Sequence, residues 1–414
     1  MKVLIVTQYF WPESFRINEV ARSLRDAGAE VTILTGKPNY PDGNVFEGWR
    51  AGGVQRQAYY EMPVLRVPMC PRGKGSAVRL ALNYLSFAAS GSVFGPWLLR
   101  GQQIDVILVY GISPILQGIA AIAIKVFKRA PVVLWVQDLW PQSLAATGFV
   151  TDRRALKLVE WLVRGIYRFS DMLLVQSQAF IEPVAQLASR DRIRYQPNPG
   201  ELAFDSPQEG NDPSPVAVDP PRFDIVFAGN LGTAQSVATI VEAASMLSDA
   251  PQVRFVLVGS GSRSDWIRDE VARRGLVNLV LTGRFPPEAM PAIFREASVL
   301  LVTLTSDDIF RLTVPSKVQA YLAAGRPILA ALDGEGARVV TEAGAGVCTP
   351  AQDAAALAAA VRMMAAMPRD QLESMGRSGR AYYNANFAPA ALARKMLALL
   401  DEAVQAAHQG DLQR

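Results

Sequence analysis

This sequence predicts two α/β halves, each built on a parallel sheet, and three observations carry that prediction. Short runs that are apolar throughout, rather than at alternate positions, recur between amphipathic stretches. Parallel strands covered by helices on both faces read this way. The alternation is interrupted once, at residues 200–221, by a stretch rich in Pro, Asp, Ser and Gly, and then restarts. Half of the 414 residues are apolar and 19% are charged, enough to bury two cores of ordinary domain size.

In the first half, residues 3–8 read as a buried strand that runs into the loop 9–16. Ile17, Val20, Ala21 and Leu24 then mark the apolar face of a helix that Gly28 ends, and 31–35 is the next strand. The turn between that strand and helix lacks G-x-G-x-x-G, which argues against a nicotinamide or flavin cofactor. Further strands are expected at 64–68, 105–110, 132–136 and 172–175, with helices at 113–127 and 152–167. Residues 80–99 are the one span resembling a membrane segment. Asn83, Gly91, Gly95, Pro96 and several serines make it a poor one. It reads either as a helix inside the domain or as one lying on a bilayer surface.

In the second half the expected strands are 224–229, 254–258, 279–282, 299–305 and 327–331, with helices between them, and 389–407 is one long amphipathic helix. The stretch 313–330 organises this half. Pro315 and Ser316 open a short helix, Thr313 is the expected N-cap, and Gly325 closes it. An apolar strand comes just before. Unpaired backbone N–H groups, the positive end of the helix dipole and the Lys317 ammonium therefore meet at one place suited to an anion. The expected domains are 1–205, a linker at 206–221, 222–388, and a terminal helix at 389–414 that packs back on the first domain.

Composition narrows the function. Cys70 and Cys348 are the only cysteines and His408 the only histidine. That argues against a disulfide scaffold, a cysteine or histidine metal site and a Ser-His-Asp triad, and it suits a reducing cytoplasm. A net charge of +4 suits anionic ligands or an anionic membrane surface. No basic run is interleaved with aromatics, so nucleic acid is not an expected partner. The chain opens directly on a strand, with no cleavable signal pattern. Membrane docking is expected through two basic groups, Arg72, Lys74 and Arg79, and Lys125, Lys128 and Arg129. Phe87, Phe94, Trp97 and Leu98 are the expected inserting residues.

Ligands of such sheets lie beyond the carboxyl ends of the strands. If both halves follow that rule, their strand-end loops face each other across a cleft. Gly229, Asn230, Gly232 and Gln235 end a strand and open a helix, and Gly259, Gly261 and Arg263 repeat the pattern. The glycines admit a ligand to the backbone, and an arginine suits a phosphate. With Ser316 and Lys317 they point to a diphosphate-bearing ligand, and Arg284 in the loop 283–287 joins the donor-side candidates. Asp138 follows a buried strand directly, where a carboxylate suits acid–base work; a turn or N-cap aspartate is the alternative. Glu13 and Arg16 in the first loop are similar cases. Asp307 and Asp308 are a single adjacent pair without the spacing of a cation cage.

Four segments carry a resemblance. They are Gln8-Tyr9-Phe10-Trp11-Pro12-Glu13, Gln137-Asp138-Leu139-Trp140-Pro141, Phe227-Ala228-Gly229-Asn230-Leu231-Gly232, and Pro315-Ser316-Lys317 followed by Tyr321-Leu322-Ala323-Ala324-Gly325-Arg326-Pro327. Together they resemble bacterial glycosyltransferases of family 4, most of all the fucose and N-acetylfucosamine transferases that build O-antigen and exopolysaccharide repeats. The resemblance covers essentially the whole chain. It implies the GT-B fold of two Rossmann-like domains and a nucleotide-sugar bound by the C-terminal one, with a UDP-linked N-acetylated amino sugar favoured. It implies a lipid-linked saccharide acceptor on the N-terminal domain at the inner face of the membrane. It implies no cofactor beyond the nucleotide-sugar co-substrate, no metal, and retention at the anomeric carbon. Helix N-termini, Lys317 and nearby arginines are then the groups that stabilise the leaving diphosphate. Asp138 orients or deprotonates the acceptor hydroxyl, with Glu13 and Arg16 on the acceptor side.

The chain departs from the family pattern in three places. The E-x7-E pair falls near Leu312 and Ala320, neither acidic, which leaves Gln319 or Glu342 to replace the ribose-binding glutamate. The Arg and Lys of the phosphate loop are Asn230 and Gln235, which shifts phosphate work to Lys317 and Arg263. The catalytic-region histidine is absent. A nucleotide-sugar 2-epimerase of the same fold and a non-catalytic partner in a polysaccharide assembly complex are the competing readings; His408 lies outside every candidate loop.

Overall fold

The computed structural model describes residues 1–74, 77–146, 152–200, 214–216 and 222–412. The chain divides into two compact units, Met1–Asn198 with Pro389–Arg414, and Pro199–Ala388. Most of the expected linker, 206–213 and 217–221, lies outside the described residues.

The first unit holds β1 (Lys2–Val6), β2 (Glu30–Thr35), β3 (Gln55–Tyr59), β4 (Met62–Arg66), β5 (Val106–Gly111), β6 (Val132–Val136), β7 (Met172–Val175) and β8 (Ile193–Tyr195). They form one sheet in the order β3-β4-β2-β1-β5-β6-β7-β8. All neighbours are parallel except β3 with β4. Sequence patterning passes over β3 and β8. The first, Gln-Arg-Gln-Ala-Tyr, is a half-exposed edge strand with no apolar run, and the second is three residues long.

The helices of this unit are α1 (Arg16–Asp26), α2 (Ala77–Leu98), α3 (Gln117–Lys128), α4 (Gln142–Ala146), α5 (Arg153–Phe169) and α6 (Ile181–Ala185). The expected helix at 113–127 starts later, at Gln117, because 113–116 form a loop. Asp152 caps α5, its carboxylate accepting from the N–H groups of Arg154 and Ala155 at 2.9 and 2.8 Å. The apolar run at 80–99 is the inner helix α2. A Cβ on Gly91 would lie 2.8 Å from Ala120, and one on Gly95 2.9 Å from Ile124, so the glycines let α2 sit close on α3. Gly118 of α3 does the same against Ile166 of α5. Phe87 and Leu98, expected to insert into a bilayer, are buried in the unit instead. Among the described residues no helix is long and apolar enough to cross a membrane.

The second unit holds β9 (Phe223–Ala228), β10 (Val253–Val258), β11 (Leu279–Gly283), β12 (Val299–Thr303), β13 (Ile328–Ala331) and β14 (Gly346–Thr349), in the order β11-β10-β9-β12-β13-β14. All its pairings are parallel. Its helices are α7 (Val237–Met246), α8 (Ser264–Arg274), α9 (Met290–Glu296), α10 (Asp308–Arg311), α11 (Ser316–Ala324), α12 (Glu335–Glu342), α13 (Ala354–Ala365) and α14 (Arg369–Asn386). Alternate strand residues feed two cores. Ile225, Phe227, Phe255 and Leu257 face α7, α8 and α13, while Val226, Ala228, Val256 and Val258 face α9, α11 and α12. The last helix, α15 (Pro389–Leu412), belongs to the first unit, where Met396, Leu400 and Ala403 pack with α1 against the sheet.

Candidate active site

In the second unit, β9 and β12 are neighbours, but the chain leaves them in opposite directions, toward β10 and toward β13. Such a reversal opens a crevice at the carboxyl ends of the two strands. The loops that follow them are tied together there. Thr305 N–H donates to Ala234 O at 3.0 Å, and the Thr303 hydroxyl donates to Gln235 O.

Two glycines allow the loops to come this close. Gly229 has φ +138°, and a Cβ on it would lie 2.6 Å from Lys317 Cε. Gly259 has φ +139°, and a Cβ there would lie 1.9 Å from Gly229 O. Gly261 sits against Asn230 and Leu231, and Arg263 N–H donates to Leu231 O at 2.9 Å. Gly229, Asn230, Gly232, Gly259 and Gly261 thus line one region of bare backbone beside Lys317.

Lys317 is the second residue of α11. Its ammonium donates to Gln235 Oε1 and stands 4.3 Å from the centre of the Phe227 ring. Among the described residues Gln235 is its one hydrogen-bond partner, which leaves two of three donors for a ligand. Burial pushes its pKa down to about 8. Ser316, exposed at the start of α11, adds a helix N-terminus beside it. Arg284 donates to Ser260 Oγ at the rim of the second glycine loop, and Arg263 lies over the Trp266 ring at 4.3 Å.

One expectation for this unit, the cap of α11, needs correction, and two donor-side candidates, Gln319 and Glu342, are placed as follows. Thr313 does not cap α11. Pro315 holds that position in extended conformation, and the Thr313 hydroxyl reaches back to Phe310 O at 3.4 Å, just beyond the end of α10. Gln319 is buried within the unit, at 4% exposure, on the inner side of α11. Glu342 ends α12, away from the carboxyl end of β13, and is paired with Arg338. Two carboxylates follow that strand end, Asp333, which accepts from Ala351 N–H at 3.2 Å, and Glu335, which opens α12; neither stood among the expected site residues. Glu335 too is bound by Arg338, at 3.0 Å.

In the first unit the reversal falls between β1 and β5. Asp138, two residues past β6, accepts from the N–H and the hydroxyl of Ser113 at 2.8 and 2.9 Å. Burial raises the pKa of the Tyr84 and Tyr110 hydroxyls, and the Asp138 charge adds to the rise at both. Arg72 opposes it at Tyr84 and Arg16 opposes it at Tyr110, so these groups share one electrostatic neighbourhood. Arg72, Tyr84 and Ser113 are additions to the expected site residues, as is Trp140, whose indole N–H donates to Ser113 Oγ at 2.9 Å. The signal for Ser113 was its place in a strand-end loop; Tyr84 sits on α2 and gave none.

Glu13 does not face outward. It is 2% exposed and accepts from the backbone N–H groups of Phe10, Asn39 and Tyr40 at 3.3, 2.8 and 2.8 Å. It ties the loop after β1 to the loop after β2. Burial pushes its pKa up to about 7 in spite of those donors. Arg16 opens α1 behind that loop.

Comparison with known proteins follows this division. Residues 14–199 match the family model of the glycosyl transferase 4-like domain, and residues 222–367 match that of the glycosyl transferases group 1. The putative colanic acid biosynthesis glycosyl transferase WcaI of Escherichia coli is 24% identical over 387 residues, covering 89% of this chain and 93% of that protein. Sucrose-phosphate synthase from Thermosynechococcus elongatus is similar in structure, with a TM-score of 0.70 at 18% identity over 98% of this chain and 99% of that one. Anabaena HepE, solved in complex with UDP, gives 0.68 at 14% identity over 97% of this chain and 100% of that one. These likenesses show the GT-B fold of two Rossmann-like domains. With a 4-like domain followed by a group 1 domain, the chain belongs to the glycosyltransferases.

Proposed function

We propose that this glycosyltransferase moves a sugar, with retention at the anomeric carbon, from a nucleotide-sugar to a lipid-linked saccharide in the making of a bacterial surface polysaccharide such as O-antigen or capsule. The favoured donor is a UDP-linked N-acetylated amino sugar. The observation that carries the donor assignment is the half-partnered Lys317 ammonium held against Gly229 and Gln235. The UDP bound by HepE and the likeness to WcaI, named as a colanic acid biosynthesis glycosyl transferase, support the same reading.

In this reading the diphosphate rests on the bare backbone of 229–232 and 259–261. Lys317, the start of α11, Arg263 and Arg284 supply positive charge where the leaving oxygen becomes negative. The acceptor hydroxyl oxygen, oriented by Asp138, forms the new bond to the anomeric carbon on the face the diphosphate leaves. The old C–O bond breaks with its electron pair on the phosphate oxygen, and the hydroxyl proton passes to Asp138. No cofactor or metal is assigned. Incubating the purified protein with UDP-, GDP-, dTDP- and CMP-sugars and a lipid-linked acceptor tests this. Release of UDP with transfer is the expected result, and turnover of no donor would favour the non-catalytic reading.

The protein is placed at the inner face of the membrane through the outer surface of α2, α3 and α5. Glu160 is the acidic residue of these three helices, against Arg79, Lys125, Lys128, Arg153, Arg154, Lys157, Arg164 and Arg168. Leu82, Leu85, Trp97, Phe127, Leu158 and Trp161 are exposed among them, Trp161 at 68%. A basic helix with an exposed Trp at its middle suits an anionic bilayer, to which each nearby cation contributes about 1 kcal/mol. Lys125 and Lys128 serve the fold as well, since Lys125 pairs with Asp171 at 2.7 Å and Lys128 donates to Leu99 O at 2.6 Å. Flotation with anionic vesicles checks the placement. Binding should weaken when Lys157, Trp161 and Arg164 are changed together to Ser, and wild-type protein left unbound at low salt refutes it.

A further inference from the structure

We propose that Ser113 and Trp140 are positioning residues for Asp138, locking its carboxylate with one oxygen held and the other turned to the acceptor. The proposal rests on the acceptor-side role given to Asp138 above. β5 and β6 lie side by side, with Gly111 opposite Val136, so the loops leaving their carboxyl ends run together. Ser113 gives Asp138 both of its donors, the backbone N–H at 2.8 Å and the hydroxyl at 2.9 Å, and both land on Oδ2. Among the described residues Oδ1 receives no hydrogen bond.

A third group decides which way the serine hydroxyl points. Trp140 Nε1–H donates to Ser113 Oγ at 2.9 Å. An indole N–H is a donor only, so Oγ must meet it with a lone pair, and the hydroxyl proton is left for Asp138. Trp140 is buried, at 6% exposure, and a buried N–H keeps its protein partner. The chain of donors therefore runs one way, from indole to hydroxyl to carboxylate, each polarising the next.

A carboxylate held by a single bond can swing. Two bonds on the same oxygen leave the lone pairs of Oδ1 aimed in one direction. In the transfer, the acceptor oxygen bonds to the anomeric carbon as the bond to the diphosphate breaks, and the acceptor proton goes to Oδ1. Orientation is where such a step gains, since misplacing the reacting groups by about 1 Å costs about a hundredfold in rate. Neither Ser113 nor Trp140 touches substrate in this account.

Full-length Ser113→Ala, Ser113→Thr, Trp140→Phe, Asp138→Asn and the double Ser113→Ala/Trp140→Phe test it with two readouts. The first is the indole N–H resonance of Trp140, assigned by its loss in Trp140→Phe. It should move in Ser113→Ala and also in Asp138→Asn; a resonance unmoved by Asp138→Asn overturns the chain of donors. The second is turnover, with UDP-N-acetylglucosamine as donor probe and a polyprenyl-diphosphate-linked N-acetylhexosamine as acceptor probe. Ser113→Ala should lower kcat about ten- to a hundredfold with the donor KM nearly constant, and Ser113→Thr should keep most of the rate. Trp140→Phe should lower kcat less, and the double variant should be no worse than Ser113→Ala, because the indole acts through the hydroxyl. Losses that multiply in the double variant overturn the inference, as does an inactive Asp138→Asn beside a fully active Ser113→Ala. Wild-type turnover in Asp138→Asn overturns instead the role of Asp138 on which the inference rests. If wild-type protein ignores the probe pair, the substrate reading fails and the indole resonance still decides the positioning.

Discussion

The affinity of the second unit for a nucleoside diphosphate should fall as pH rises through about 8, and Lys317 should be the cause. The ammonium is enclosed by Gly229, Gln235 and Phe227, with no carboxylate paired to it among the described residues, and burial lowers its pKa from the ordinary 10.5 to about 8. The charged form is therefore the one lost as pH rises. On that value about nine-tenths of the molecules carry the proton at pH 7 and about one-tenth at pH 9. If only the charged form holds the diphosphate, Kd for UDP rises about tenfold across that window, or about 1.4 kcal/mol. The diphosphate of UDP keeps its charge there, because its second phosphate ionisation lies near pH 6. Titration calorimetry at fixed ionic strength measures the change, and at pH 9 binding should take up nearly one proton. Lys317→Met should bind more weakly at pH 7 and show no slope. A flat wild-type curve, or a slope that survives in Lys317→Met, refutes the assignment of Lys317 to the diphosphate.

Other outcomes follow from the same geometry. The folded pKa of Glu13, near 7, lies above its ordinary 4.5, so the stability it contributes is fully present below pH about 4.5 and is lost as pH rises through about 7. That amounts to about 3 kcal/mol over the window. Glu13→Gln stays neutral, so it should trail wild type at pH 5, where one N–H acceptor is lost, and overtake it at pH 8; urea midpoints that differ equally at both pH values would exclude this. Gly259→Ala places a Cβ 1.9 Å from Gly229 O at φ +139°, and a cost of about 3 kcal/mol or more with loss of UDP binding is expected from thermal unfolding and calorimetry. EDTA should leave turnover unchanged. Loss of activity restored by Mg²⁺ or Mn²⁺ would return Asp307 and Asp308 as ligands, although Asp307 already accepts from Ile309 N–H at 2.8 Å.

What was legible in the sequence was whatever local chemistry decides. The inner strands are buried on both faces, so their residues are apolar without alternation, and β1, β5, β6, β9, β10 and β12 could be read from that alone. The glycines at 229 and 259 were visible as punctuation, and with Lys317 they meet at one place. The edge strand β3 was not legible, because half of it faces solvent and its pairing with β4 comes from a tyrosine–glutamate turn without glycine. Direction of side chains was also hidden. Nothing in the spacing told that Glu13 would turn inward to three backbone donors, or that Glu342 would end its helix on Arg338. Phe87 and Trp97 lie in one apolar run, yet α2 buries the first and exposes the second.

The placement of α15 bears on the order in which the protein can be made. Met396, Leu400 and Ala403 complete a core whose other members begin at Val3, and Arg194 is joined to Glu402 on the same helix. The second unit, 199–388, is one uninterrupted segment. A ribosome therefore releases everything the second unit needs before it releases the last layer of the first. The amino-terminal sheet, though synthesised earliest, must wait with its α1 face incompletely covered until the final helix emerges. During that interval the nascent chain presents apolar surface to holdase chaperones, and a message truncated after codon 388 would leave the earlier-born unit, not the later one, unfinished.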